Sequence, residues 1–185
     1  YKKELKKIAR LKSLTMDGVD FVPLANIELP EELETAFSFG AEGVGLFRSE
    51  FIYLRRPTLP SEEDHLSIYR QMARKTYPRP VYIRTIDIGG EKSLPWLNIE
   101  KEPNPALGLR AIRFSLRNRE LFRTQIRAIL KASDRHNVRL MVPMITELEE
   151  VVELKTIVEE VKDELRQNKI PFDEEIPIGV MIEVP

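Results

Sequence analysis

The chain has 185 residues, 42% of them hydrophobic, which is enough apolar material for one sizeable domain and too much for wholesale disorder. Charged residues are abundant but balance to a net of −1, so the basic excess of a nucleic-acid-binding protein is missing. The absence of cysteine excludes disulfides, thiolate metal sites and a thiol nucleophile within this stretch, and no apolar run approaches the roughly 20 residues that cross a bilayer.

The opening residues carry no secretory character. Leu5, Ile8 and Leu11 among lysines predict a short linker helix, and Thr15 to Gly18 a polar turn, so residues 1–18 read as a linker ahead of a domain over 19–185. Phe21 to Ile27 reads as a first strand. Pro30-Glu31-Glu32 then starts a helix, because proline suits the first helical position and acids favour the positive end of the dipole. Gly40 stops that helix. Val44 to Arg48 is a second strand. Ser61 caps a helix with Leu66, Tyr69, Met72 and Ala73 at helical spacing. Val81 to Thr85 is a third strand, ended by Asp87 to Gly90. Glu91 to Leu109, with Pro95, Pro103 and Pro105, reads as a long loop, and loops of that length in compact domains are usually functional. A helix around Arg119 to His136 turns Phe122, Ile126, Ile129, Leu130 and Ser133 to one face. Val138 to Met144 is a fourth strand. Thr146-Glu147-Leu148-Glu149 reads as a capping box, and its helix buries Val151, Leu154, Val158, Val161 and Leu165. Ile178 to Glu183 is a fifth strand.

This alternation defines an α/β fold. The strands are rich in Val, Ile and Leu without clear polar alternation, which favours a parallel sheet covered by helices. Five strands fit an open doubly wound sheet or part of an eight-stranded barrel. No dinucleotide-type glycine turn follows the first strand, and the sequence stops directly after a strand-like run. The expectation is therefore a (β/α) TIM-barrel-type domain, truncated after about five strands and belonging to a longer protein. Chemistry in such barrels collects at the C-terminal ends of the strands.

Arg48, Arg84 and Glu183 fall at those ends. Two planar guanidinium forks beside glycines suit a carboxylate or phosphate, and a carboxylate on the same rim offers a hard oxygen ligand to a cation. The pattern points to a metal-assisted phosphate-ester site. Plainer roles compete: Arg48 with Glu50 or a neighbouring strand, Arg84 with Asp87, and a structural carboxylate at Glu183. Glu50 and Asp87 read as orienting partners for the arginines rather than as metal ligands. Arg110, in a basic run with Arg113, Arg117 and Arg119, reads nearly as well as a solvated helix-face charge. His65 and His136 read as surface residues, Gly89-Gly90 as a sharp turn, and Trp96 as local packing.

Four collinear motifs resemble the phosphoenolpyruvate-utilising enzymes. They are Gly45-Leu46-Phe47-Arg48-Ser49-Glu50-Phe51, Arg84-Thr85-Ile86-Asp87-Ile88-Gly89-Gly90-Glu91-Lys92, Asn104-Pro105-Ala106-Leu107-Gly108-Leu109-Arg110, and Gly179-Val180-Met181-Ile182-Glu183-Val184-Pro185. The second is similar to the Enzyme I branch of the sugar phosphotransferase system. The resemblance implies a phosphoenolpyruvate-binding barrel with Arg48, Arg84 and Arg110 on the substrate and Glu183 on Mg2+. It implies phosphoryl transfer to a histidine of a separate, more N-terminal domain and on to a histidine-containing phosphocarrier protein, in an enzyme that is a homodimer at full length; the absence of cysteine points to a reducing cytoplasm. No catalytic residue of the family pattern falls within these residues, and neither nucleic acid nor membrane is an expected partner. Alternatives are the barrel of pyruvate phosphate dikinase or phosphoenolpyruvate synthase, or a non-catalytic self-association module.

Overall fold

The computed structural model describes residues 9, 11–54, 57–89, 104 and 107–184. Most of the expected linker helix, Gly90, and the Glu91 to Pro103 part of the expected loop with Trp96 lie outside the described residues. Five strands form one sheet: β1 (Ala25–Ile27), β2 (Val44–Arg48), β3 (Val81–Arg84), β4 (Val138–Val142) and β5 (Ile178–Val180). Every pairing is parallel, and the spatial order is the chain order. A doubly wound sheet reverses its order at a switch point. Here the order never reverses, which is the winding of a β/α barrel. The described strands make an open sheet with β1 and β5 at its edges.

Six α-helices are described: α1 (Leu33–Ser38), α2 (Phe51–Leu54), α3 (Glu62–Thr76), α4 (Ala111–Arg117), α5 (Arg119–Lys131) and α6 (Leu148–Gln167). A 3-10 turn over Pro30–Glu32 precedes α1, and the Glu32 carboxylate accepts the Glu28 and Leu29 backbone N–H groups at 2.7 and 2.8 Å. Gly40 closes this unit at φ +90°, a backbone state that glycine takes without steric cost. Ser61 caps α3 as its sequence predicts: its hydroxyl accepts from the Asp64 N–H while the Asp64 carboxylate accepts the Ser61 N–H at 2.8 Å.

The burial of β4 alternates, and that of β3 does so up to Ile83, before the buried Arg84. Val81, Ile83, Val138, Leu140 and Val142 pack beneath the helices, while Tyr82, Arg139 and Met141 are half-buried on the other face. The sequence shows no such alternation, because a barrel's second face is filled by large side chains rather than wetted ones. Phe47 pairs with Ile83 on the helix-covered face, so the next pair, Arg48 with Arg84, belongs to the opposite face. The main core lies between sheet and helices. Phe47 makes edge-on ring contacts there with Phe51 and Tyr69, at 5.9 and 6.5 Å between centroids.

Several expectations shift. β1 begins at Ala25 rather than Phe21: the Phe21 N–H goes to the Ser13 carbonyl at 3.1 Å, and Pro23 has no N–H to give a sheet ladder. The capping box of α6 sits one residue later than the motif suggested: Glu147 is the N-cap, and Glu150 receives the Thr146 and Glu147 N–H groups. Helix α4 lies where the sequence offered only a run of arginines. His65 is buried rather than on the surface, with Nδ1 3.2 Å from the Tyr69 hydroxyl.

Candidate functional site

The site is assembled on the loops that follow β2 and β3. Arg48 and Arg84 are the last residues of those strands and face each other in register. They meet different surroundings. Arg48 is half exposed, and its Nη2 lies a loose 3.4 Å from Glu28, just past the end of β1. Arg84 is nearly enclosed. Its Nη2 donates to Glu50 Oε1 at 2.8 Å, and its Nη1 lies 3.4 Å from Asp87 Oδ2. The Glu50 oxygen also accepts the Asp87 backbone N–H at 3.0 Å, which ties the two loops together. The pairing of Arg48 with Glu50 is thus replaced by a cross-strand one.

Arg110 reaches this cluster by a separate route. It is the last residue before α4 and pairs with Gly89 through an isolated antiparallel bridge. Gly89 has φ +140°, and a Cβ there would sit 2.4 Å from the Leu109 carbonyl oxygen, so glycine is what lets the two segments touch. The Arg110 guanidinium then forks onto Asp87, Nε to Oδ1 at 2.7 Å and Nη2 to Oδ2 at 3.1 Å. That hydrogen-bonded carboxylate raises the pKa of Arg110, with the charges of Glu183 and Glu50 adding to it. Arg110 is therefore not a solvated helix-face charge. Asp87 holds two of the three arginines.

Glu183 lies past β5, and its Oε1 accepts the Met144 N–H at 3.0 Å, two residues beyond β4. The four residues singled out in the sequence are thus gathered at the C-terminal rim: Arg48 beside Arg84, Arg84 and Arg110 on one aspartate, and Glu183 close enough to act on Arg110. As a metal site the rim is partial. Among the described residues no group of three or more His, Cys, Asp and Glu side chains is placed to hold a metal ion. Glu183 offers one hard oxygen donor of the kind Mg2+ takes, one of its two oxygens being spent on Met144.

Sequence reasoning missed Gln125, a fully buried residue of α5 beneath this rim. Its Oε1 accepts from Ile86 N–H, and its Nε2 donates to Ser49 and Tyr69. The signal was available in the spacing: Gln125 is three residues after Phe122 and four before Ile129, on the apolar face of the helix.

A parallel, singly wound sheet with arginines and carboxylates converging on its C-terminal rim defines a β/α-barrel-type domain with a charged C-terminal rim. The model of the PEP-utilising enzyme, PEP-binding domain family matches residues 2–185, and the chain belongs to that family. A phosphoenolpyruvate-protein phosphotransferase of Priestia megaterium is 42% identical over 184 residues, covering the whole of this chain. A Haemophilus influenzae protein of the same name is 44% identical over the same length. A multiphosphoryl transfer protein 2 of Escherichia coli is 44% identical over 171 residues, or 92% of the chain. The chain spans about a third of the first two relatives (32% each) and a fifth (20%) of the third. No helix among the described residues is long and apolar enough to cross a membrane.

Proposed function

We propose that this rim binds phosphoenolpyruvate and presents its phosphoryl group for transfer to a histidine carried on another domain, from which a phosphocarrier protein receives it in sugar uptake. The observation that carries the reading is the in-register pair Arg48–Arg84, joined through Asp87 to Arg110. Phosphoenolpyruvate bears a carboxylate and a phosphate on adjacent carbons, and its negative charge repels any approaching nucleophile. Arg48, exposed and loosely paired, meets the incoming anion first. Arg84 and Arg110 are held in fixed orientation by Glu50 and Asp87, so their N–H groups cost little reorganisation when charge shifts during transfer. Glu183 is the residue that would hold Mg2+, and the ion would supply positive charge to offset that of the phosphate. The relatives' names favour this reading over the dikinase or synthase barrel and over a non-catalytic module. A cytoplasmic location and a homodimer at full length belong to the same proposal, supported by the absence of cysteine and by the likeness to phosphotransferases.

Calorimetric titration tests it. Phosphoenolpyruvate with Mg2+ is titrated into the full-length protein and into its Arg84→Ala variant. The substitution is expected to cost about 2–4 kcal/mol of binding, the range for truncating one partner of a buried charge pair. Equal affinity in the two proteins would remove Arg84 from the site.

A further inference from the structure

We propose that Gln125 is a positioning residue. Its carboxamide fixes the loop after β2 against the loop after β3, and so holds Glu50, Asp87 and the arginines they carry in binding geometry. The inference rests on the rim being the phosphoenolpyruvate site.

The carboxamide's orientation follows from its neighbours. Ile86 N–H can only donate, so the amide atom 3.0 Å from it is the oxygen. The NH2 group then faces Ser49 Oγ and Tyr69 Oη, each at 3.0 Å, and both its protons are used. Ser49 takes one of them and passes its own proton to the Arg84 carbonyl at 2.8 Å. Tyr69 takes the other, and its hydroxyl also lies 3.2 Å from His65 Nδ1, burial having pushed the phenol pKa up so that the proton stays on oxygen. The bonds from Ile86 to Gln125, from Gln125 to Ser49 and Tyr69, and from Ser49 to the Arg84 carbonyl therefore each have one direction. Gln125, Ser49 and Tyr69 are all fully buried.

The anchored atoms matter because of what adjoins them. Ser49 immediately precedes Glu50, and Ile86 immediately precedes Asp87. Those two acids orient Arg84 and Arg110, and the Asp87 N–H to Glu50 bond already joins them. Gln125 ties both loops from below, across 39 and 76 residues of sequence. Bidentate recognition tolerates little displacement, so loosening this tie is read as lost affinity before lost fold.

The test uses the full-length protein, titrated with phosphoenolpyruvate and Mg2+, with thermal melts and circular dichroism alongside. Gln125→Met, close in volume and unable to hydrogen-bond, is expected to weaken binding about 10- to 100-fold, the range for residues that orient ligand-contacting groups. Gln125→Glu keeps an acceptor for Ile86 and is expected to recover part of that loss. The effect of Gln125→Met is expected to shrink in an Arg84→Ala background, since one of the two arginines it aims is then gone; a merely structural residue would add its loss unchanged. Wild-type affinity in a folded Gln125→Met protein, or full additivity with Arg84→Ala, overturns the inference. If Gln125→Met does not fold, Ser49→Ala cuts one arm of the same tie, and unchanged affinity there overturns it equally. A wild-type protein that binds no phosphoenolpyruvate refutes the site itself, a distinct outcome.

Discussion

Arg48 and Arg84 occupy the same register position on neighbouring strands, yet burial separates their energetics. Arg84 is 9% exposed, and its partners Glu50 and Asp87 are 4% and 5% exposed. Removing its guanidinium leaves Glu50 buried without its cation, and Arg84→Ala is expected to destabilise the fold by about 3–5 kcal/mol. Arg48 faces Glu28 across 3.4 Å with both side chains 43% exposed, so Arg48→Ala is expected to cost about 0–1 kcal/mol. Urea unfolding of the two variants compares them directly, and equal losses would contradict the assignment of Arg84 as the buried anchor. Both variants should nonetheless lose phosphoenolpyruvate affinity, which separates binding from folding. The three-residue spacing from Arg84 to Asp87, and with it their pairing, was legible in the sequence. The Glu50 pairing was not, because it joins residues 34 apart across two strands. His65 stands four residues before Tyr69, a spacing that places both on one helix face. Its polar character masked that, and the structure buries it against the Tyr69 hydroxyl.

Elements were most legible where chemistry marks their ends. The bounds of β2 match the reading from Val44 to Arg48, and α3 starts behind the Ser61 cap. Helix α4 went unseen because its seven residues begin with no acid and no capping side chain; Arg110 stands at the N-cap with its side chain committed to Asp87. A different device joins the two long outer helices. Arg119 of α5 meets Glu153 of α6 at 3.0 Å, Arg123 bridges Glu160 and Glu164, and Arg127 donates to Glu164 at 2.6 Å. Hydrogen bonding from Arg127 is the largest influence holding the Glu164 carboxyl below its ordinary value, with the Arg127 and Arg123 charges adding to it. The folded pKa is therefore lower than the unfolded one, and the unfolded chain binds the extra proton in the window between them. Stability from this carboxylate is complete above the ordinary glutamate pKa and is lost as pH falls through the lowered one. Glu164→Gln is expected to flatten that part of the acid-unfolding curve while leaving phosphoenolpyruvate binding intact. Unfolding followed by circular dichroism from neutral pH into the carboxylate range checks this, and an unchanged slope would show that the α5–α6 ion pairs contribute nothing to acid sensitivity.

At the scale of the molecule, the sheet's winding puts every implicated side chain on one rim and leaves the chain's two histidines elsewhere. His65 is 1% exposed behind the α3 surface, with its Nδ1 engaged by Tyr69. His136 is exposed but sits at the entry to β4, the end of the strand opposite the rim, with Nδ1 2.9 Å from Asp173. Arg48, Arg84 and Arg110 stand at the exits of β2 and β3 and ahead of α4, while His65 is enclosed in the helix layer and His136 precedes β4. On the proposed function, transfer to a histidine would then use an acceptor brought to the rim from another part of the protein. Under the proposed function, enclosure of Arg84 and Arg110 by their carboxylates fits such a division, with the rim holding the anion and the partner supplying the nucleophile. The 185-residue chain, incubated with radiolabelled phosphoenolpyruvate and Mg2+, is expected to acquire no acid-labile phosphohistidine. The full-length protein under the same conditions is expected to acquire it outside these residues. Label recovered on a peptide containing His65 or His136 would move the phosphoacceptor into this chain and require the helix layer around His65, or the loop before β4, to open toward the rim.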